Sequence, residues 1–337
     1  MKKKVFAILL VIAMLLGIVA GCGPKEKEDP PKPDDSKPEQ SEQVEQTDGE
    51  KELKKLGLLT YSLGEEFGVD ILHGAQAAGE KLGYTIIAPD PSGDLQKQIA
   101  QLEDLVQQKV DAVMIAPIDA YAIVPHLQDA LNKGVPIINY DIIADMDECN
   151  AVIKCDNYDG GVQAGKEIVN RIGTEGKVLI LEDNPGVVVI EQRCQGVEDY
   201  IKEHAPDIEI VRQLSNGPRD AHQKTTENML TAHPDLSAIF APDGDHTLGA
   251  YAACTQMGRN EVRIVGYDAS PEQIDIMKAD GPDGILAASV AQFPIMMGRI
   301  CVETADKFLN GGDTSEHILL ELGIARAEEI DEFKFKE

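Results

Sequence analysis

One strand-and-turn phrase occurs twice in this 337-residue chain, and that repetition restricts the fold more than any other feature. In the first copy Val113-Met114-Ile115-Ala116-Pro117 is followed, beyond a helical stretch, by Ile137-Ile138-Asn139-Tyr140-Asp141. In the second, Ala238-Ile239-Phe240-Ala241-Pro242-Asp243 is followed by Val262-Arg263-Ile264-Val265-Gly266-Tyr267-Asp268. Ala241 follows Ala116 by 125 residues and Asp268 follows Asp141 by 127. One supersecondary unit used twice predicts two similar lobes, each ending a buried apolar strand in Tyr-Asp. Ligands of open α/β sheets sit beyond the carboxyl ends of strands. Two lobes facing each other would therefore bring Asp141 and Asp268 to one cleft.

The rest of the body keeps the same rhythm. Strand-length apolar runs at 56–61, 84–88, 111–116 and 135–140 alternate with helical patterns at 69–82, 95–108 and 120–133. Within the second helix Ile99, Leu102, Leu105 and Val106 fall on one face. A second series runs through strands at 177–182, 208–211, 236–240, 263–265 and 285–290, with helices at 161–172, 189–204, 221–232, 247–257 and 271–279. Repeated strand–helix–strand units predict an α/β chain with parallel sheets and right-handed crossovers. A helix at 294–309 and a strand at 318–322 exceed the second series and would complete the first lobe.

The amino terminus has a different composition. Met1-Lys2-Lys3-Lys4 precedes an apolar run from Val5 to Ala20 that stops at Val19-Ala20-Gly21-Cys22, the layout of a secretory signal. The following stretch is Pro, Glu, Asp, Lys, Gln and Ser with one Val and no aromatic, too polar to offset the entropy of ordering. It predicts a tether, about 30 residues with a root-mean-square reach of roughly 30 Å, a length that suits a thick, Gram-positive-like envelope. Without the three leader lysines and the tether's five lysines and eleven acids, the body has 23 basic and 48 acidic residues, net −25. Such a charge repels phosphate backbones and excludes nucleic acid as a partner. Beyond Cys22, five cysteines at irregular spacing form no disulfide framework. Buried free thiols are expected, with Cys149 to Cys155 the one pairing left open.

These residues resemble the periplasmic-type sugar-binding proteins of the ribose and galactose class, the solute receptors of ABC importers. The resemblance runs from Lys54 to about Ala325. It is carried by Gly74-Ala75-Gln76 with Leu82-Gly83-Tyr84, Asp156-Asn157 with Gly160-Gly161, Thr231-Ala232-His233-Pro234-Asp235, Val265-Gly266-Tyr267-Asp268 and Ala291-Gln292, in order. It implies two Rossmann-like lobes of the type I periplasmic-binding-protein fold, joined by a three-segment hinge near 155–156, 292–293 and 320–322. The expected organisation is a leader at 1–21, a tether at 22–53, a first lobe of 54–155 plus 293–321 and a second of 156–292 plus 322–337. Small residues before Cys22 resemble a bacterial lipobox, which makes Cys22 the expected lipidation site and places a monomeric receptor on the extracytoplasmic membrane face beside an ABC permease.

The resemblance also nominates ligand-binding residues. Asp141 and Asp268 match the two aspartates of such sites, and Asp243 matches an Asn or Asp that contacts hydroxyls. Arg193, in Arg193-Cys194-Gln195-Gly196, matches the family's Arg-x-x-Gly on the first helix of the second lobe. Gln292 follows Ala291 at a crossing, Phe67 matches a stacking aromatic in the loop after the first strand, and Glu65 stands where ribose binders place Asn. Structural duties compete with these roles: a helix N-cap for Asp243, pairing with Asp268 or Glu191 for Arg193, and core packing for Phe67. Ribose binders also have aromatics where this chain has Gly68 and Gly217, and an Arg where it has Ile142. The implied ligand is therefore a monosaccharide or polyol other than ribose, with Tyr61 or Tyr140 supplying ring contacts; the acids Glu65, Glu66, Asp141, Asp243 and Asp268 leave a cationic ligand as the alternative.

Other classes fit less well. An exported glycoside hydrolase needs two carboxylates at fixed separation, and hinged lobes do not keep one. A receptor that reports ligand to a membrane sensor shares every feature with a transport receptor. No histidine spacing suits zinc, Asp90-Pro-Ser-Gly-Asp94 and Asp145-Met-Asp147 lack a full calcium loop, and no cofactor or metal is expected.

Overall fold

A computed structural model of the chain describes residues 54–315 and 317–336. The expected leader at 1–21, the lipidation site Cys22 and the tether at 22–53 lie outside the described residues. Among the described residues no helix is long and apolar enough to cross a membrane.

The first part of the body alternates β1 (Lys54–Leu59), α1 (Glu66–Leu82), β2 (Tyr84–Ile87), α2 (Leu95–Gln107), β3 (Ala112–Ile115), α3 (Val124–Asn132), β4 (Ile137–Tyr140) and β5 (Ala151–Cys155). The second alternates α4 (Asn157–Ile172), β6 (Glu175–Glu182), α5 (Val188–His204), β7 (Asp207–Leu214), α6 (Arg219–Ala232), β8 (Ala238–Phe240), α7 (Gly244–Met257), β9 (Arg263–Asp268), α8 (Pro271–Asp280) and β10 (Leu286–Ala291). The chain then returns through α9 (Pro294–Leu309), β11 (Ile318–Leu320) and β12 (Gly323–Arg326). Two six-stranded sheets result, in the orders β11-β5-β4-β3-β1-β2 and β12-β10-β9-β8-β6-β7. Position by position the two orders match, β3 and β4 corresponding to β8 and β9, as the repeat predicts. Pairing is parallel except for β12, which runs antiparallel to β10. The chain passes between the lobes after β5, after β10 and after β11.

Each sheet is covered on both faces, so its strands are apolar throughout rather than alternating. On β3, Ala112 and Met114 pack into one cluster with α1 and α9 residues, while Val113 and Ile115 pack into another with residues of α2 and α3. On β6, Val178 and Ile180 face α4 and α5, and Leu179 and Leu181 face α7 and α8.

Glycines set the closest helix contacts. A Cβ on Gly74 of α1 would stand 1.9 Å from the Ile295 carbonyl oxygen of α9, and one on Gly298 of α9 would stand 2.0 Å from that of Ile71. The second lobe repeats the device: a Cβ on Gly161 of α4 would meet the Arg193 carbonyl oxygen of α5 at 2.1 Å, and one on Gly196 would meet that of Tyr158 at 2.2 Å. Helix α4 accordingly begins four residues before the apolar pattern suggested. The pair Gly160-Gly161, unfavourable in a helix, is overridden by the Asp156 cap, whose side chain accepts from Asp159 N, and by packing against α5.

Two strands escaped the sequence reading. Strand β5 follows a polar loop and β12 is four residues containing Gly and Arg, so neither shows a pattern of its own. All five cysteines from Cys149 onward are free.

Candidate ligand-binding site

The strand-end aspartates occupy matching places with matching backbones. Asp141 follows β4 with φ +57° and Asp268 ends β9 with φ +78°, a left-handed conformation that short Asx side chains tolerate better than most. Buried amides hold each turn. Asn139 on β4 donates Nδ2 to Ile115 O (2.9 Å) and Ile142 O (2.8 Å), and its Oδ1 accepts from Ala144 N (2.7 Å). After β9, Gln273 donates to Tyr267 O (2.9 Å) and accepts from Ser289 Oγ (2.7 Å), which accepts from Ala269 N (3.0 Å).

The two carboxylates differ in what they touch. Asp268 accepts from Gly244 N at the start of α7 (2.8 Å) and from Gln292 Nε2 (2.8 Å). The Asp141 backbone N–H donates to Ile153 O (2.9 Å), but its carboxylate has no hydrogen-bond or ion-pair partner among the described residues. Burial pushes its pKa from 3.8 up to about 6; Arg193 opposes the rise and Asp268 adds to it. Burial raises Asp268 as well, with Arg193, Gln292 and Gly244 N pulling it back.

Arg193 is 4 % exposed on α5 and lies between these acids. The close approach at Gly161 brings its Nε to Asn157 Oδ1 (2.8 Å) on α4, and its Nη1 donates to Pro242 O (2.9 Å). Its guanidinium stacks 3.9 Å from the centre of the Tyr267 ring. The structural pairing with Asp268 or Glu191 that competed with a ligand role does not occur: no carboxylate among the described residues lies within 4.0 Å of it. Its charge acts on Asp141 and Asp268 at longer range.

Asp243 is the N-cap of α7, its Oδ1 accepting from His246 N (2.8 Å), and its Oδ2 lies 2.8 Å from His246 Nδ1. The other ring nitrogen, Nε2, lies 2.8 Å from Ser215 O. Both neighbours of the ring are acceptors, so His246 is an imidazolium donating from both nitrogens. Burial alone would lower its pKa, but Asp243 and Ser215 O outweigh burial and raise it. His246 in turn overcomes the burial of Asp243 and holds that carboxyl far below the usual range. His222 stacks on His246 with ring centres 3.7 Å apart, and burial plus its neighbour's charge hold it neutral, with a pKa lowered to about 4.

The first lobe contributes Tyr61, Glu65, Glu66 and Phe67. Glu65 is the N-cap residue of α1, with no side-chain cap bond. It keeps contact with water, yet the walls strip part of its solvent. That desolvation, then the charges of Asp243, Asp245, Asp268 and Asp183 across the cleft, push its pKa from 4.5 up to about 7. Glu66 lies near Ser270 and Glu272 of the second lobe. Tyr61 is 36 % exposed and senses Asp183, Glu65 and Asp243, so it faces the same space.

Two placements need correction. Phe67 lies in the first turn of α1, not in the loop after the first strand, and packs half-buried against the core between α1 and α9. Tyr140 is fully buried and donates to Leu59 O (3.1 Å), which removes it as a ring contact. Asp90, in the calcium-loop-like stretch, accepts from Leu63 N and Ser92 N as a turn residue (2.9 Å each). No group of three or more His, Cys, Asp or Glu among the described residues could hold a metal ion. Sequence reasoning missed Asp183, His246 and Asn157. Asp183 directly follows β6, so the strand-end rule that found Asp141 would have found it; His246 stands three residues after an Asp N-cap, a spacing that joins side chain to cap.

Comparison with known proteins agrees with this fold. The periplasmic binding protein domain family matches residues 56–313. The ribose import binding protein RbsB of Escherichia coli K12 is 32% identical over 256 residues, 76% of this chain and 85% of that protein. RbsB of Bacillus subtilis 168 is 29% identical over 309 residues, 92% and 94% of the two chains. An ABC transporter periplasmic solute binding protein from Actinobacillus succinogenes with bound D-allose superposes with a TM-score of 0.77 at 27% identity, covering 83% of this chain and all of that one. A solute binding protein from Agrobacterium vitis bound to α-D-tagatopyranose gives 0.77 at 25% identity, covering 84% and 100%. The chain belongs to the periplasmic binding protein family and has its type I fold.

Proposed function

We propose that this chain is the extracytoplasmic receptor of an ABC importer, binding a monosaccharide or related polyol between its lobes and delivering it to a membrane permease. The observation that carries this reading is the meeting of acceptors and one cation at one cleft: Asp141 and Glu65 from the first lobe, Asp268, Asp243 and Gln292 from the second, with Arg193 as the donor among them. Hydroxyls of one small ligand offer donors to several carboxylates at once, and each charge-assisted bond contributes roughly 1.5–3 kcal/mol. A micromolar receptor needs only about 8 kcal/mol. Relatives that carry import and sugar binding in their names, and solved structures with D-allose and α-D-tagatopyranose bound, support the ligand class. Phe67 and Tyr61 are the aromatic contacts in this reading. The protein acts as a monomer and performs no chemistry on its ligand.

Lipid anchoring through Cys22 belongs to the same reading, with 1–21 as the leader, 22–53 as the tether, and lobes of 54–155 plus 293–321 and 156–292 plus 322–337. A Cys22→Ala chain should leave the membrane fraction for the medium; firm retention would refute the anchor. Ligand class is tested by thermal unfolding against pentoses, hexoses, polyols and amino sugars. A true ligand at about 100 times its dissociation constant adds roughly 2.7 kcal/mol, a shift of several degrees. Silence across the whole panel would sink the sugar-receptor reading.

A further inference from the structure

We infer that the ligand carries a protonated amine, as an amino monosaccharide or amino polyol does, and that Glu65 selects for it. This rests on the sugar-receptor reading. The first support is the balance of charge at the cleft. Arg193 is offset by Asp141 and Asp268. His246 is engaged by Asp243 at 2.8 Å, and Arg219 by Asp245 at 3.1 Å and Glu272 at 2.9 Å. Glu65 and Asp183 are left with no ion-pair partner among the described residues, in the field of Asp243. Closing both lobes on a neutral ligand would desolvate these carboxylates without an ion-pair partner.

The second support is independent of charge. Gln292 is 2 % exposed, and its Nε2 is fixed on Asp268 because a carboxylate can only accept. Its Oε1 is therefore the free end, and it has no partner. Asp141 adds two more open acceptor oxygens, and two of the five Arg193 N–H groups are already committed to Asn157 and Pro242. Unpaired acceptor oxygens thus come from Asp141 in the first lobe and from Gln292 at the crossing. A hydroxyl donates once and accepts twice, but an ammonium donates three times and accepts nothing. Glu65 is the cleft acid of the first lobe that faces four acids of the second, so an ammonium beside it relieves the repulsion that otherwise resists closure. Desolvation first, and then that repulsion, displace the pKa of Glu65 upward to about 7.

The test is calorimetric titration of the full chain at neutral pH with glucosamine, galactosamine, mannosamine and a 1-amino-1-deoxy polyol, each beside its neutral parent and its N-acetyl derivative. One amine should bind at least about tenfold tighter than its parent, the equivalent of one charge-assisted hydrogen bond. N-acetylation should remove that preference, and Glu65→Gln should erase it, so that amine and neutral parent then bind the variant within about twofold of each other. Circular dichroism of the variant checks that it folds. A neutral parent binding tighter than its amine overturns this inference while the sugar-receptor reading stands. A preference that survives Glu65→Gln overturns the role of Glu65. No binding by any member overturns both readings.

Discussion

The two lobes are built alike and equipped differently. Both have the same strand order, a left-handed aspartate at the matching strand end, and a helix pair drawn together through glycine. In the second lobe, however, Asp268 is already bound by Gly244 N and Gln292, and Asp243 by His246. In the first, Asp141 and Glu65 have no such partners. A duplicated architecture has thus become a preorganised half and an open half. In the proposed reading, ligand contacts in the second lobe require little reorganisation, whereas those in the first are completed by the ligand.

The comparison breaks most visibly at Arg193. Removing a buried charge strands its partners, at a cost of about 3–5 kcal/mol. Arg193→Met should lower stability by that order and abolish binding, because Asn157 Oδ1 and Pro242 O lose their donors and the two aspartates lose their counter-charge. Arg193→Lys should weaken binding by roughly 1–3 kcal/mol, since an ammonium cannot replace the planar fork. Calorimetry with the identified ligand and thermal unfolding check both. A variant that binds normally would make Arg193 purely structural and the second lobe no more preorganised than the first.

The glycine pairs give a smaller, more discriminating contrast. Gly161→Ala and Gly298→Ala each set a methyl about 2 Å from a facing carbonyl, and overpacking of this kind costs typically 1–3 kcal/mol. Both should lower the unfolding temperature by several degrees. Only Gly161→Ala should also weaken binding, because it displaces the turn of α5 that holds Arg193. Equal loss of affinity from both would mean that the lobes transmit strain to the cleft alike.

How much of this was visible in sequence follows from the same asymmetry. The repeat and the strand-end rule located Asp141 and Asp268, since burial on both sheet faces writes continuous apolar runs whose ends are easy to find. The partners of those acids were not visible. His246 and Asn157 contribute through hydrogen bonds between elements distant in sequence, which no local pattern records. Tyr140 appeared available because its neighbour is a candidate site residue, yet successive strand residues face opposite ways and its ring points into the core. Phe67 looked like loop because Gly68 interrupts the helical pattern; a Cβ there would stand 2.0 Å from Ser62 O, so the glycine is kept by crowding and the helix starts before it. β12 was missed because its stability comes from pairing with β10 rather than from its own residues.

The smallest expected effect separates the lobes by pH. A carboxyl whose folded pKa is raised stabilises the fold while protonated: the contribution is complete below the unfolded value and is lost as pH rises through the folded one. For Asp141 that window runs from 3.8 to about 6. Wild-type stability alone will not show it cleanly, because His222, lowered from 6.5 to about 4, adds stability with rising pH over much of the same range. The difference between Asp141→Asn and wild type removes that background. Asn keeps the left-handed turn and mimics the neutral acid, so the two proteins should match near pH 4, and the variant should gain from there to pH 7. The gain is at most about 3 kcal/mol and less after solvent relaxation. Asp268→Asn should start below wild type at pH 4, because an amide cannot accept from both Gly244 N and Gln292 Nε2 through the same two positions. Denaturant unfolding of the unliganded chain at pH 4, 5.5 and 7 supplies both differences. Parallel curves for the two variants would show that Asp141 is as firmly held as Asp268, and the distinction between an open and a preorganised lobe would fail.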